Sequence, residues 1–322
     1  MTLTHTTRDE RVKQAFFRGG NLTLDNGEYR AFVLGFAGAL LRDDLAAGDL
    51  TAESLGLPRT RVSAAVVARE SGVAAGLQEF ALLYRSNGVD VVLEKCDGEE
   101  IRAGETILLA QGEQTKLLAL ERVGLNLLQR MSGIATASHR VQAHIRQSGS
   151  EAAVVGTRKT PWGMLDKRAL HLGGIGTHRL NLADAILIKN NHLALLASSE
   201  EEAAPLAVER AWKSRRQSAF IEVEVRGEAA ARAAAKTVRG LLEKSGEEYP
   251  CILMLDNMDP ARITEVLGML RRENLLDYTL VEASGGISEE NAVEYAATGV
   301  DAISIGSLTH SVRALDLSQK VS

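Results

Sequence analysis

With 322 residues, 45% of them apolar, the chain holds enough material for one large α/β barrel or for two domains with packed cores. Its formal net charge of −5 excludes the broad basic face that nucleic-acid or acidic-membrane binding needs, so the expected partner is a small molecule. Cys96 and Cys251 stand far apart without CxxC or Cys/His spacing, which sets aside a disulfide framework and a zinc site and makes reduced cytoplasm the expected compartment. The opening MTLTHTTRDERVKQ has no apolar core of signal-peptide length, and no run of about 18 apolar residues appears, so no membrane segment is expected.

From the amino end, Glu28 to Ala47 carries Phe32, Val33, Phe36, Leu40 and Leu41 at helical spacing and breaks at Gly48. After Arg61 the pattern changes to short β-like pieces, VSAAVVA, SGVAAG and VDVVLEKCDGEEIRAGETILLAQG. Turns are expected at Asp97-Gly98 and Ala103-Gly104, and a helix over Gln78 to Ser86 packs on this small sheet as an α/β sandwich. Thr115 to Ser148 reads as helix, with Leu120, Val123, Leu127, Met131 and Ile134 on one stripe and an interruption expected at Gly133. By spacing alone Arg122 is a solvated charge on that helix.

The remainder alternates buried-looking strands with helices: AAVVG, ADAILIK, AFIEVEV, YPCILMLDN, YTLVEASGG and DAISIGS, separated by stretches such as DPARITEVLGMLRREN and SEENAVEYAATG. Continuous apolar strands followed by helices predict a parallel sheet covered by helices, and six such units suit a closed barrel. The charged stretch at 198–218 is expected to be a solvated helix surface.

Each strand ends in polar chemistry: Thr157-Arg158-Lys159, Lys189-Asn190-Asn191-His192, Glu222 with Glu224, Asp256-Asn257, Ser284-Gly285-Gly286, and Gly306 to His310. Carboxyl ends of parallel barrel strands form the active face, so the coincidence predicts an enzyme. The run Gly156 to His192 gathers Arg158, Lys159, Arg179, Lys189, His171, His178 and His192 against Asp166 and Asp184, a basic patch in an acidic chain that suits an anion. Arg158 and Arg179 can grip planar carboxylates in two-point fashion, and Lys159 and Lys189 serve as point charges. Glu224 and Asp256 offer the oxygen atoms that Mg²⁺ prefers, directly or through water. The glycine turns expose N–H groups to a phosphate. Bland roles stay open: Glu222 as partner of a barrel lysine, His171 and His310 as structural histidines, Trp162 as packing.

The segments GTRKT, GTHRLNLADAILIKNNH, IEVEV, ILMLDN, EASGGI and TGVDAISIGSLTHSVRALDLS, with ALERVGLNLLQRMSGIAT upstream, resemble the quinolinate phosphoribosyltransferase family from about Asp43 to the C-terminus. The resemblance implies an N-terminal open-faced α/β sandwich over 1–134 and an incomplete α/β barrel with parallel strands over 135–308, the 309–322 tail packing on the sandwich. It also implies a homodimer with shared active sites. The implied reaction joins quinolinate and phosphoribosyl diphosphate, with Mg²⁺, to give nicotinate mononucleotide, diphosphate and CO₂. Carried over, Arg158, His178, Arg179 and Lys189, with Arg122 from the neighbouring subunit, surround quinolinate. Lys159, Glu224 and Asp256 serve the ribose-diphosphate and its metal as the catalytic set, and Ser284, Gly285, Gly286 and Gly306 form the phosphate turns. TPWGMLDKRA is shorter than the family's usual form, Asn190 replaces a more usual Asp, and LRDDLAAGDLT stands where the family more often has a Leu-Gly pair before Gly-Asp. The alternatives are a paralogous phosphoribosyltransferase of the molybdate-transport-associated type and a catalytically silent anion-binding protein.

Overall fold

The computed structural model describes residues 6–215 and 217–321. Residues 1–5 of the run read for a leader, Arg216 of the 198–218 stretch and Ser322 of the tail lie outside the described residues. The strands are β1 (Arg61–Ala68), β2 (Gly72–Val73), β3 (Asp90–Leu93), β4 (Glu100–Ile101), β5 (Thr106–Glu113), β6 (Ala153–Val155), β7 (Ile186–Ile188), β8 (Ile221–Val225), β9 (Cys251–Asp256), β10 (Leu280–Ser284), β11 (Ala302–Ser304) and β12 (Leu317–Val321). The helices are α1 (Arg8–Phe16), α2 (Gly27–Asp44), α3 (Leu50–Ser54), α4 (Leu77–Ser86), α5 (Gln114–Gln147), α6 (Met164–Leu172), α7 (Asn190–Ala194), α8 (Glu200–Ser214), α9 (Glu228–Ser245), α10 (Pro260–Arg272), α11 (Ala292–Ala296) and α12 (Ser307–His310).

These elements form two compact units. The sandwich unit comprises Gly19–His139, Thr160–Gly174 and the chain from Leu308 onward; the parallel-sheet unit comprises the chain up to Arg18, Arg140–Lys159 and Ile175–Ser307.

In the sandwich unit an antiparallel sheet runs in the order β12-β1-β5-β3, and β2 and β4 form a separate ribbon. Alternation decides its faces: Ala64, Val66 and Ala68 of β1 are buried while the residues between them are less so. Helix α4 packs beside β3, with Phe80 and Tyr84 stacked at 3.9 Å between ring centroids. Helix α5 runs unbroken for 34 residues, so Gly133 does not interrupt it. The glycine answers a packing demand instead, since a Cβ there would strike Arg313 O and lie 3.1 Å from Ala314 Cα. Trp162 does pack, 5.2 Å from Phe36 and 5.0 Å from the Arg130 guanidinium.

In the other unit all six expected strands form one parallel sheet in the order β6-β11-β10-β9-β8-β7. No pairing joins β6 to β7 among the described residues, so the barrel suggested by counting strands is open. Gly176 bridges Val155 there, and the chain leading to His178 runs beside β6. Helix α1, begun by a Thr7–Glu10 capping box, was not expected from the sequence. Its Val12, Ala15 and Phe16 pack with Ala153, Phe220, Ile252, Leu280 and Ala302, residues at or near the amino ends of the strands. That end is filled with apolar side chains, which leaves the carboxyl ends for chemistry. Helix α8 is not merely a solvated surface: its acidic first turn is followed by buried Ala203, Ala204, Ala207, Val208, Ala211 and Trp212. No helix among the described residues is long and apolar enough to cross a membrane.

Candidate active site

A cavity of about 420 Å³ opens at the carboxyl ends of the parallel strands and lies wholly within that unit. Arg158, Lys159, His178, Arg179, Lys189, Glu224, Asp256, Ser284, Gly285 and Gly286 all line it, so residues spread over more than 120 positions of sequence meet in one place. Thr157, Leu187, Met254, Asn257, Glu282 and Ser304 complete the wall. Gly306 is not among the lining residues, and Arg122 is exposed on α5 in the sandwich unit.

The cationic side begins in the loop after β6, where Lys159 N–H donates to Thr157 Oγ1 at 3.1 Å. Arg158 and Lys159 are exposed there, whereas Arg179 is 7% exposed. Arg179 Nη1 donates to Ala185 O at 3.1 Å, and its buried Nε has no hydrogen-bond partner. Burial first, and then the nearby Arg158 charge, work against the charge on Arg179, with partial relief from Glu222 and Asp184. Guanidinium stays protonated regardless, so the result is a cation lacking compensation, which an anion would supply.

His178 lines the same cavity with φ +54, a backbone conformation uncommon for a residue with a side chain. Its N–H donates to Phe16 O at 3.0 Å, and its ring sits 5.5 Å from Phe16 and 5.4 Å from Phe220. Nε2 lies 2.9 Å from Glu222 Oε2 and 3.3 Å from Glu282 Oε2, both carboxylates being fully buried. These are ion-pair distances, and Nε2 makes no hydrogen bond of good geometry with either oxygen. Glu222 is therefore a histidine partner rather than a lysine partner. Burial opposes charge on His178, but Glu222 and then Glu282 outweigh it and raise its pKa to about 9. Glu222 is pushed up in turn by burial and by Glu282.

This histidine and the two glutamates bring ligand-type atoms within 4.8 Å of one another, as a metal would require, and they are the one such group among the described residues. The ring makes a second demand: Arg179 N–H donates to Nδ1 at 2.7 Å, which needs a lone pair there. That bond favours the neutral Nε2–H ring, whereas the carboxylates favour the imidazolium. Nε2 carries a proton in both forms, and a metal would have to displace it while Nδ1 still accepts from Arg179 N–H, which would strip the ring of its last proton. The trio is therefore better matched to a proton on Nε2 than to a metal.

The acidic side stands on neighbouring strands. Glu224 is the penultimate residue of β8 and is 5% exposed; its Oε2 lies 3.3 Å from Lys189 Nζ, and its Oε1 accepts from Asn190 N at 3.4 Å. Asp256 ends β9, and its Oδ2 accepts from Asn257 Nδ2 at 2.8 Å. Beyond β10, Gly285 and Gly286 adopt φ +92 and +67 in succession. A Cβ on Gly285 would lie 2.7 Å from Asn257 Cγ and 2.9 Å from Asn257 N, so the position is closed to other residues by conformation and by space. Ser304 Oγ donates to Ser284 Oγ at 2.9 Å beside this turn. Consecutive left-handed residues of this kind form a concave row of N–H groups suited to an anion.

His171 is half-buried in the sandwich unit, its charge disfavoured by burial and then by Arg168; exposed His310 pairs through Nδ1 with Ser311 Oγ at 2.8 Å. Neither lines the cavity. Sequence reading missed Glu282 and Ser304. The signal for Glu282 was a carboxylate inside an otherwise apolar strand.

Comparison with known proteins gives concordant likenesses. Residues 134–320 match the family described as quinolinate phosphoribosyl transferase, C-terminal domain, and residues 49–132 match its N-terminal domain. The chain is 36% identical over 285 residues to a "Probable nicotinate-nucleotide pyrophosphorylase (carboxylating)" of Methanothermobacter thermautotrophicus, covering 88% of this chain and 96% of that one. It is 36% identical over 284 residues to the nicotinate-nucleotide pyrophosphorylase (carboxylating) of Mycobacterium leprae, covering 86% and 93%. Among solved structures, the nicotinate-nucleotide pyrophosphorylase from Francisella tularensis aligns with a TM-score of 0.76 at 28% identity, covering 91% of this chain and 96% of that chain.

Proposed function

This chain belongs to the quinolinate phosphoribosyl transferase family, and from that premise we propose that it makes nicotinate mononucleotide for de novo NAD synthesis. It is a pentosyltransferase: the quinolinate ring nitrogen displaces diphosphate from phosphoribosyl diphosphate, CO₂ leaves the adjacent ring carbon, and a proton takes its place. The observation that carries the reading is a single cavity with an under-compensated cationic wall facing two carboxylates and a left-handed glycine turn.

In this reading Arg158, Arg179 and Lys189 hold the two carboxylates of quinolinate, buried Arg179 fixes the plane of the ring, and His178, whose ring nitrogens already face Arg179 N–H and the two buried glutamates, lines the quinolinate pocket beside them. Lys159 and the N–H groups of the Ser284-Gly285-Gly286 turn hold phosphate. Glu224 and Asp256 face the ribose, where positive charge grows as diphosphate departs. The same two groups suit Mg²⁺ because they present oxygen atoms only, from adjacent strands, and the ion would neutralise charge on the leaving group. Once the ring nitrogen carries ribose it is cationic and can accept the electrons released with CO₂, so no further electron sink is required.

The reading includes a two-fold dimer in which Arg122 of one subunit reaches the quinolinate of the other, a cytoplasmic location, and a role for Gly306 in the phosphate turns. Its support is family membership together with the exposure of Arg122. Incubation with quinolinate, phosphoribosyl diphosphate and Mg²⁺ should yield nicotinate mononucleotide and CO₂ in equal amounts. Phosphoribosyl diphosphate turnover without either product would overturn the proposal.

A further inference from the structure

Arg226 follows β8 directly, and its backbone is tied on both sides: its N–H donates to Glu200 Oε2 at 3.0 Å, and its carbonyl accepts from Arg262 Nη2 at 3.2 Å. From that fixed position the side chain turns back to the cavity rim. Its Nε donates to Asp256 Oδ2 at 3.2 Å, and Nη2 lies 3.9 Å from Glu224 Oε1. The guanidinium thus spans both carboxylates, whereas Lys189 meets Glu224 through the other oxygen. The carboxylate side chains are 6% and 13% exposed, against 50% for Arg226, so the acids are enclosed while the cation has a route to solvent.

These contacts leave the carboxylate pair already balanced, two negative charges against the positive charges of Lys189 and Arg226. A divalent cation arriving at the same oxygens would meet the guanidinium at close range, where repulsion is strong. We propose that Arg226 is a built-in competitor for that cation, so that metal binding and departure of the guanidinium are one exchange. Metal alone then binds weakly. Metal arriving with an anionic ligand binds well, because the released guanidinium gains a counter-charge and remains tethered beside the cavity.

The proposal rests on the reading of Glu224 and Asp256 as the metal's carboxylates, and its test uses neither substrate. Mn²⁺ binding to the full chain is followed by electron paramagnetic resonance. Arg226→Gln should bind Mn²⁺ about tenfold more tightly than the wild type, with Arg226→Lys close to the wild type because charge is retained. Adding Glu224→Gln and Asp256→Asn to Arg226→Gln should abolish the gain. Should Arg226→Gln be unstable, Arg226→Ala carries the same comparison, since the backbone anchors do not use the side chain. Unchanged or weaker Mn²⁺ binding in the neutral variants, undetectable binding throughout included, overturns the proposal. So does a gain that survives loss of both carboxylates. Product formation by the wild type tests the function separately, so the two failures are distinguishable.

Discussion

Lys189 Nζ lies 3.3 Å from Glu224 Oε2, so a cation assigned to quinolinate and a carboxylate assigned to the metal share one contact. Lys189 follows β7 and Glu224 belongs to β8, a separation that by itself would keep the two subsites apart. Strands β7 and β8 are neighbours in the sheet, however, which makes the contact possible. Glu224→Gln should therefore tighten quinolinate binding by about two- to fivefold, as the freed Lys189 turns to the substrate, while impairing metal-dependent use of phosphoribosyl diphosphate. Calorimetry with quinolinate alone checks this, and weaker binding would contradict it.

Nicotinate should be a poor substitute for quinolinate. It lacks the carboxylate next to the ring nitrogen, so a group such as Arg179, with its buried unpaired Nε, would stay uncompensated at a cost of about 1–3 kcal/mol. Competition between the two acids for product formation measures the preference; equal use of both would remove the two-carboxylate grip from the reading.

Stability should fall on the alkaline side. The pKa of His178 is raised from 6.5 to about 9, so the stabilisation from its charge is complete below pH 6.5 and fades as pH rises through 9. Glu222, also raised, adds a loss of the same sign beginning nearer its ordinary range. In denaturant titrations from pH 6.5 to 9.5 the wild-type midpoint should decline, and His178→Asn, which suits a positive φ, should flatten that decline. Identical slopes in the two proteins would argue against a charged His178.

Gly285→Ala should abolish product formation even in folded protein. The substitution requires a side chain at φ +92 and places Cβ 2.7 Å from Asn257 Cγ. Relief of that clash must move either the turn or the Asp256-Asn257 segment. A folded variant with at least a tenth of wild-type kcat/KM would show that the turn is not held as tightly as its geometry indicates.

The proposed sharing of sites between subunits has a genetic test. Arg122→Ala and Lys189→Ala should each be nearly inactive, and mixed dimers should recover up to roughly a quarter of wild-type activity, since about half the dimers are mixed and each has one intact site. No recovery after verified subunit exchange would return Arg122 to its own chain's site or place it outside any site.

The parallel sheet was legible because its strands are continuous apolar runs with polar ends, and the cavity residues were legible because those ends converge. Helix α1 was not. Only Val12, Ala15 and Phe16 of its nine residues are buried, and Phe16 declares itself as core only against Phe220 and Ile252. The open edge between β6 and β7 depends on pairing, which strand counting does not supply. Glu282 was hidden because a carboxylate within an apolar strand acquires meaning only through His178, more than a hundred positions earlier. At Gly133 helical periodicity and glycine propensity conflict, and contact with residues 313 and 314 decides in favour of the continuous helix.

The pairing of β12 with β1 has a consequence for synthesis. In the chain's order, β1 is made before the whole parallel sheet and β12 after it, yet the two are adjacent in the sandwich unit. On the ribosome the edge of β1 therefore waits, its N–H and C=O groups unpaired on that side, until the six parallel strands have been translated. At roughly 5–20 residues per second that interval lasts on the order of ten seconds to a minute. The nascent chain spends it with a strand edge open to other chains, and crowded translation of this one protein would be the setting in which aggregation begins.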